Sequence, residues 1–163
     1  MGIELPGELA DLLNELGFIW PKSDESALLG MGQAWTRLGD TLHDVTGEAD
    51  AGMKAAVGLN TGEAIEAFQS RWTVDKSAAN VLAKAAGASP AVGGAVMVCA
   101  GVVLALKINV IVQLTILLAQ IIQAIATAPA TLGVSLVEIP VFKKITELAI
   151  NYLISQAMET ILG

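Results

Sequence analysis

One histidine and one cysteine are all that 163 residues offer of the side chains most used in nucleophilic catalysis and metal binding. A Ser–His–Asp or Cys–His arrangement needs an imidazole beside its nucleophile. His43 stands alone on a stretch rich in acids, and a surface histidine is its plain reading. Cys99 sits in the apolar run Val96–Ala100 and reads as a small buried hydrophobe; a single thiol excludes an internal disulfide. Zinc-type ligand spacing is missing, and the acids are dispersed along exposed faces. The pairs Gly93-Gly94 and Gly30-x-Gly32 lie inside helical patterns and lack the strand that precedes a phosphate loop. No catalytic site, metal site or cofactor is therefore expected, and the chain is expected not to be an enzyme. Basic residues never cluster, which excludes a nucleic-acid footprint. Met1-Gly2-Ile3-Glu4-Leu5-Pro6 lacks the positive start and apolar core of a signal peptide, so export would use a route that does not read one.

Charge is scarce and unevenly placed. Up to Asp75 there are 13 acidic and 4 basic residues, and from Lys76 onward 3 acidic and 5 basic. Between Lys84 and Glu138 the only charge is Lys107. What fills the space is Ala, Leu, Ile, Val and Gly, with 54% of the chain hydrophobic and 4% aromatic, a composition suited to close helix packing.

Helical periodicity runs almost throughout. Leu5, Leu9, Leu12, Leu13 and Leu16 share one side of a short helix opened by Pro6 and closed by Gly17. Ser23 or Asp24 then caps a long helix in which Leu28, Met31, Trp35, Leu38, Leu42, Val45, Ala49, Gly52 and Ala56 alternate in steps of three and four. That seam requires a partner helix. The pattern supplies one after a tight turn at Asn60, Gly62 and Glu63, where Asn60 and Glu63 have capping-box spacing. Ile65, Phe68, Trp72, Ala79 and Leu82 then recur up to about Gly87, in an antiparallel hairpin. Seam residues Leu28, Met31, Trp35, Leu38, Leu42, Val45, Phe68 and Trp72 are the expected partner-binding surface.

In the back half Ser89-Pro90 predicts a kink or a fresh helix start. Gly87, Ala91, Gly94, Val98, Gly101 and Ala105 then repeat at four-three-four spacing, a face on which two helix backbones can approach closely. Asn109, Gln113, Gln120, Gln123 and Thr127 form a narrow amide stripe, either a pore lining or hydrogen-bond network or a water-facing strip. Pro129, Gly133 and Pro140 mark a reversal, and a last amphipathic helix is expected over about 141–162 with Phe142, Ile145, Leu148, Ala149, Tyr152 and Ile161 on its apolar side.

The opener Ile3-Glu4-Leu5-Pro6-Gly7-Glu8-Leu9, the corner Leu16-Gly17-Phe18-Ile19-Trp20-Pro21, the turn around Gly62 and Ala67-Phe68-x-x-x-Trp72 resemble the WXG100-like N-terminal domain at the head of actinobacterial type VII secretion effectors. The resemblance spans essentially the whole chain. It implies an all-α fold in which an antiparallel long-helix hairpin and a second apolar helical hairpin form a helical bundle. One helical domain, 1–163, is expected, divided into an N-terminal helix and corner (1–22), the WXG100-like hairpin (23–88) and the apolar hairpin (89–163). It also implies pairing with small WXG100-type helical proteins, uptake by the secretion machinery from the cytoplasm, and release outside the cell or at its surface with a toxin cargo downstream. Two features depart from the pattern: Asn60-Thr61-Gly62 stands where small members carry Trp-x-Gly, and neither Tyr152 (Gln156 follows) nor Trp72 (Lys76 follows) precedes an acid by four residues. With no toxin segment in the sequence up to Gly163, the chain is expected to be a leader alone, cut from a longer protein or encoded separately. A membrane-inserting or channel-forming module and a self-assembling homo-oligomer are the alternatives, both prompted by the apolar back half.

Overall fold

Local signals in the first 27 residues are obeyed closely. The computed structural model describes residues 2–163. Helix α1 (Gly7–Glu15) starts after Pro6 and buries Leu9, Leu12 and Leu13. It ends in a Schellman motif: Gly17 takes φ 85°, its N–H donates to the Asn14 carbonyl, and the Phe18 N–H donates to the Leu13 carbonyl. Trp20 Nε1 then donates to the Ile3 carbonyl at 3.2 Å, returning the corner to the start of the chain. Asp24 Oδ1 accepts from the N–H groups of Ser26 and Ala27, at 3.0 Å each, and caps α2 (Glu25–Leu59). The Ala27 N–H, foremost, holds the Asp24 carboxyl below its usual value.

The expected second arm of the hairpin is broken. Helix α3 covers only Glu63–Thr73. Val74 is extended (φ −61°, ψ 138°), the Asn80 side chain donates to the carbonyls of Thr73 and Val74, and Ser77 Oγ accepts from the Asn80 N–H. Ser77 and Asn80 supply these competing side-chain bonds, and periodicity alone does not register them. The Asn60–Glu63 capping box does not form either: Gly62, at φ 114°, is the N-cap with no side-chain bond, and Asn60 Nδ2 donates back to the Ala56 carbonyl at 2.8 Å.

Helix α4 runs unbroken over Ala78–Thr127, with Pro90 inside it rather than at a start. A 3-10 segment, Val134–Glu138, leads into α5 (Ile139–Leu162). The chain divides into two compact units, one continuous (Leu28–Val98) and one joining the residues up to Ala27 with Cys99–Gly163. In the continuous unit α2 and α4 run antiparallel. A Cβ added at Gly93 would stand 2.6 Å from the Gly32 carbonyl oxygen, and one at Gly39 would stand 2.8 Å from Pro90 Cδ. In the discontinuous unit Leu9, Leu12, Leu13, Val110, Leu114, Leu117 and Ile150 form the core, with Phe142 and Trp20 packed against it. The buried positions of α5 are Thr146 and Ile150, whereas Ile145, Leu148 and Tyr152 of its expected apolar side are exposed.

Candidate protein-interaction surface

The heptad seam of α2 is not the face its own chain covers. Gly32, Gly39 and Thr46, one position C-terminal to the seam residues Met31, Leu38 and Val45, are buried, and Thr36 is half-buried. Small side chains explain the choice, because they let α4 approach to backbone contact where the seam's larger residues would hold it off. Thr36 and Thr46 return their hydroxyls to the carbonyls of Gly32 and Leu42, so the covered face carries no unmet donor there. The seam is left facing outward: Trp35 is 38% exposed, Leu38 42%, Val45 48% and Met31 52%, while Leu28 and Leu42 are half-buried. Four large apolar side chains in one helical row is a surface that solvent alone does not favour.

Beside α2 the short α3 is fixed by its last aromatic. Trp72 Nε1 donates to Asp50 Oδ1 at 2.8 Å, and the Phe68 ring lies 5.7 Å from the Trp72 ring, tilted by 52°. Phe68 stays exposed and Trp72 is half-buried. The two rings, Thr46, Ala49, Ala79 and Leu82 line an apolar cleft of about 250 Å³. His43 is exposed on α2 and borders a separate cleft of about 480 Å³ with Gly39, Asp40 and Pro90. No group of three His, Cys, Asp or Glu side chains gathers among the described residues.

The small-residue face expected on α4 is not where the close helix approach occurs. A Cβ at Gly87, Gly94 or Gly101 would find open space, and Ala91 and Ala105 are exposed. The close approach falls to Gly93, the neighbour of Gly94, and to Gly32 and Gly39 of α2, none of which the seven-residue spacing singles out as a packing position. Of the amide stripe, Gln113 and Gln120 are half-buried, Asn109 and Gln123 are exposed, and Asn109 Nδ2 donates to the Ala105 carbonyl at 2.8 Å. Asn109 also lines a cavity of about 230 Å³ between α4 and α5 with Gln156 and Thr160.

Lys107, the lone charge of the apolar stretch, proves to be a buried ionic centre. It is 1% exposed and donates to Glu25 Oε2 at 2.8 Å and to the Ser23 carbonyl at 2.6 Å. Its ammonium lies 5.7 Å from the centre of the Trp20 ring. The Ile3 N–H donates to Oε1 of the same Glu25 carboxylate. The Lys107 hydrogen bond, foremost, and then that of Ile3 hold the Glu25 carboxyl down at about 2. The sequence signal was available, since a lysine stranded in an apolar helix needs a carboxylate, but nothing in the spacing named Glu25. By length and composition alone, the stretch Glu63–Thr127 is long and apolar enough to cross a membrane: it contains an 18-residue window of mean hydropathy 2.4, of which 17% is buried in the chain.

A family model described as the WXG100 like domain matches residues 4–147. No curated protein and no solved structure matches the chain.

Proposed function

The chain belongs to the WXG100-like domain family, and on that premise we propose that it is a non-enzymatic targeting and adaptor domain of type VII secretion. In this reading the α2 seam receives a helix of a small WXG100-type partner, and the pair carries a downstream effector segment to the export machinery. Uptake takes place from the cytoplasm, and the product is released or held at the cell surface. One observation carries the reading: the apolar row of Met31, Trp35, Leu38 and Val45 remains exposed after α4 has taken the adjacent glycine face. A helix that has already packed on one side and still presents a continuous apolar row is built to be covered twice.

The test is co-expression with small WXG100-type proteins of the same organism, followed by mass measurement of the purified species. A one-to-one complex whose formation is lost in Leu38→Asp is expected, with the far-UV CD of the isolated chain unchanged. If no such protein co-purifies, or Leu38→Asp binds like the parent, the seam is not the docking surface.

A further inference from the structure

Nothing in the sequence forbids a helix at the joint between α3 and α4. From Glu63 to Ala86 there is no proline and no glycine, and Val74, Asp75, Lys76 and Ser77 are ordinary residues for a helix interior. The break is held by side chains: Asn80 Nδ2 donates to the Thr73 and Val74 carbonyls, and Ser77 Oγ caps the start of α4. Helix α3 itself is lightly held. None of its residues is buried, and Trp72 ties it to α2 through the bond to Asp50. The Trp72 ring stands between two clefts. One of about 250 Å³ is shared with Phe68, Ala79 and Leu82, and one of about 280 Å³ with Met53, Lys54 and Ala83.

We propose that this joint is a two-state hinge whose second state is α3 and α4 fused into one straight helix. Two patterns fit that state and not the bent one. In a helix continuous from 63, Ile65, Phe68, Trp72, Ala79, Ala83 and Ala86 fall within about 60° of one another at about 100° per residue. Ala86 is the buried member and packs beside Gly39, so the face that α4 already turns to α2 would extend through α3. The contacts of Gly32 with Gly93 and of Gly39 with Pro90 set the α2–α4 register. Continued, that register puts Trp72 opposite about residue 55. Met53 and Val57 flank the point, on the side of α2 that carries Gly39 and Thr46, and both are half-buried. In the bent state Trp72 sits instead at Asp50, about five residues or roughly 7 Å along α2. Phe68 likewise shares a cleft with Leu82, from which a straight helix would hold it about 21 Å away. Straightening exchanges the side-chain bonds of the break for backbone helical bonds and moves Trp72 from a polar contact to an apolar one. The cleft of Phe68 and Trp72 exists only in the bent state, so the hinge presents or removes that surface. The inference does not depend on the secretion reading.

The experiment uses the full chain as Cys99→Ala/Gln69→Cys/Ala88→Cys, spin-labelled at the two exposed sites, with distances read by double electron–electron resonance. A straight helix sets those sites about 28 Å apart, and the bent chain sets them roughly 7 Å or more closer. The labelled parent should give the short distance as its main peak. Adding Ser77→Ala/Asn80→Ala removes the bonds of the break and suits a helix interior. The peak near 28 Å should then grow at least about fivefold and exceed roughly a tenth of the chains. Asn80→Ala alone should move it the same way by less. Asp75→Pro suits the extended Val74 before it and forbids the fused helix, so it should hold only the short distance. A single short distance in every variant overturns the proposal and leaves a fixed kink. A peak near 28 Å that survives Asp75→Pro overturns it too. So does a spread over all lengths in the double variant, which would mean that α3 detaches rather than joins α4.

Discussion

Gly93 and Gly94 are neighbours on one helix, and the structure assigns them opposite consequences on substitution by alanine. Both gain helix propensity, which favours alanine over glycine by about 1 kcal/mol. Only Gly93 meets an obstacle: its added Cβ would lie 2.6 Å from the Gly32 carbonyl oxygen and 2.9 Å from Thr36 Oγ1, where real Cβ atoms keep at least 3.0 Å. The nearest of these is backbone, so relief requires α2 and α4 to part, and overpacking of this kind costs about 1–3 kcal/mol. Because the propensity gain is common to both, the difference between Gly93→Ala and Gly94→Ala isolates the packing cost. It should fall at about 1–3 kcal/mol, or roughly 2–12 °C in melting temperature for a chain of this size. Urea unfolding followed by tryptophan fluorescence reads the difference, since Trp35 and Trp72 both lie in the unit concerned. Equal stability of the two variants, or a less stable Gly94→Ala, would refute the assigned α2–α4 contact.

Leu117→Ala removes a side chain with no exposed surface from the core of α1, α4 and α5, and should cost about 2–5 kcal/mol by urea titration. Glu25 has a depressed folded value of about 2 against an ordinary 4.5, so its contribution is full above about 4.5 and is lost as pH falls toward 2. The stability gap between the parent and Glu25→Gln should therefore be widest at neutral pH and narrow through that window; a gap that ignores pH would sink the assignment. Lys107→Met combined with Glu25→Gln removes both buried charges and should be tolerated better in thermal melts than Glu25→Gln alone, which leaves the cation unpaired. Trp72→Phe gives up the bond to Asp50 and should lower stability by about 1–2 kcal/mol, with loosening of α3 seen as faster amide exchange.

The helices and their capping at Pro6, Gly17 and Asp24 were legible because each rests on a local rule that needs only a few neighbouring residues. The seam of α2 was legible as a pattern, but the sequence did not say which of two adjacent rows the chain would use. Hydrophobic periodicity ranks Met31, Trp35 and Leu38 above Gly32, Thr36 and Gly39, whereas helix approach distance ranks them the other way. The same shift by one residue moved the close contact on α4 from Gly94 to Gly93. Of the two readings of Ser89-Pro90, a kink or a fresh helix start, the fresh start does not occur: α4 continues through Pro90, with Gly39 of α2 against the pyrrolidine ring. Glu25 and Lys107 were beyond reach for a different reason: 82 positions separate them, and no local rule pairs residues at that range.

That separation has a consequence for the order of events on the ribosome. Synthesis delivers Leu28–Val98 as one uninterrupted stretch, so the α2–α4 unit can close while the rest is still being made. The other unit is assembled from the two ends of the chain, and Glu25 must wait until residue 107 has emerged before its partner exists. Until then α1, with Leu9, Leu12 and Leu13, has no core to enter. The newborn chain thus spends much of its synthesis half-built, with its leading segment exposed. A helper that binds apolar helices would find its longest opportunity there, and a pause in translation shortly before α4 is complete would prolong it.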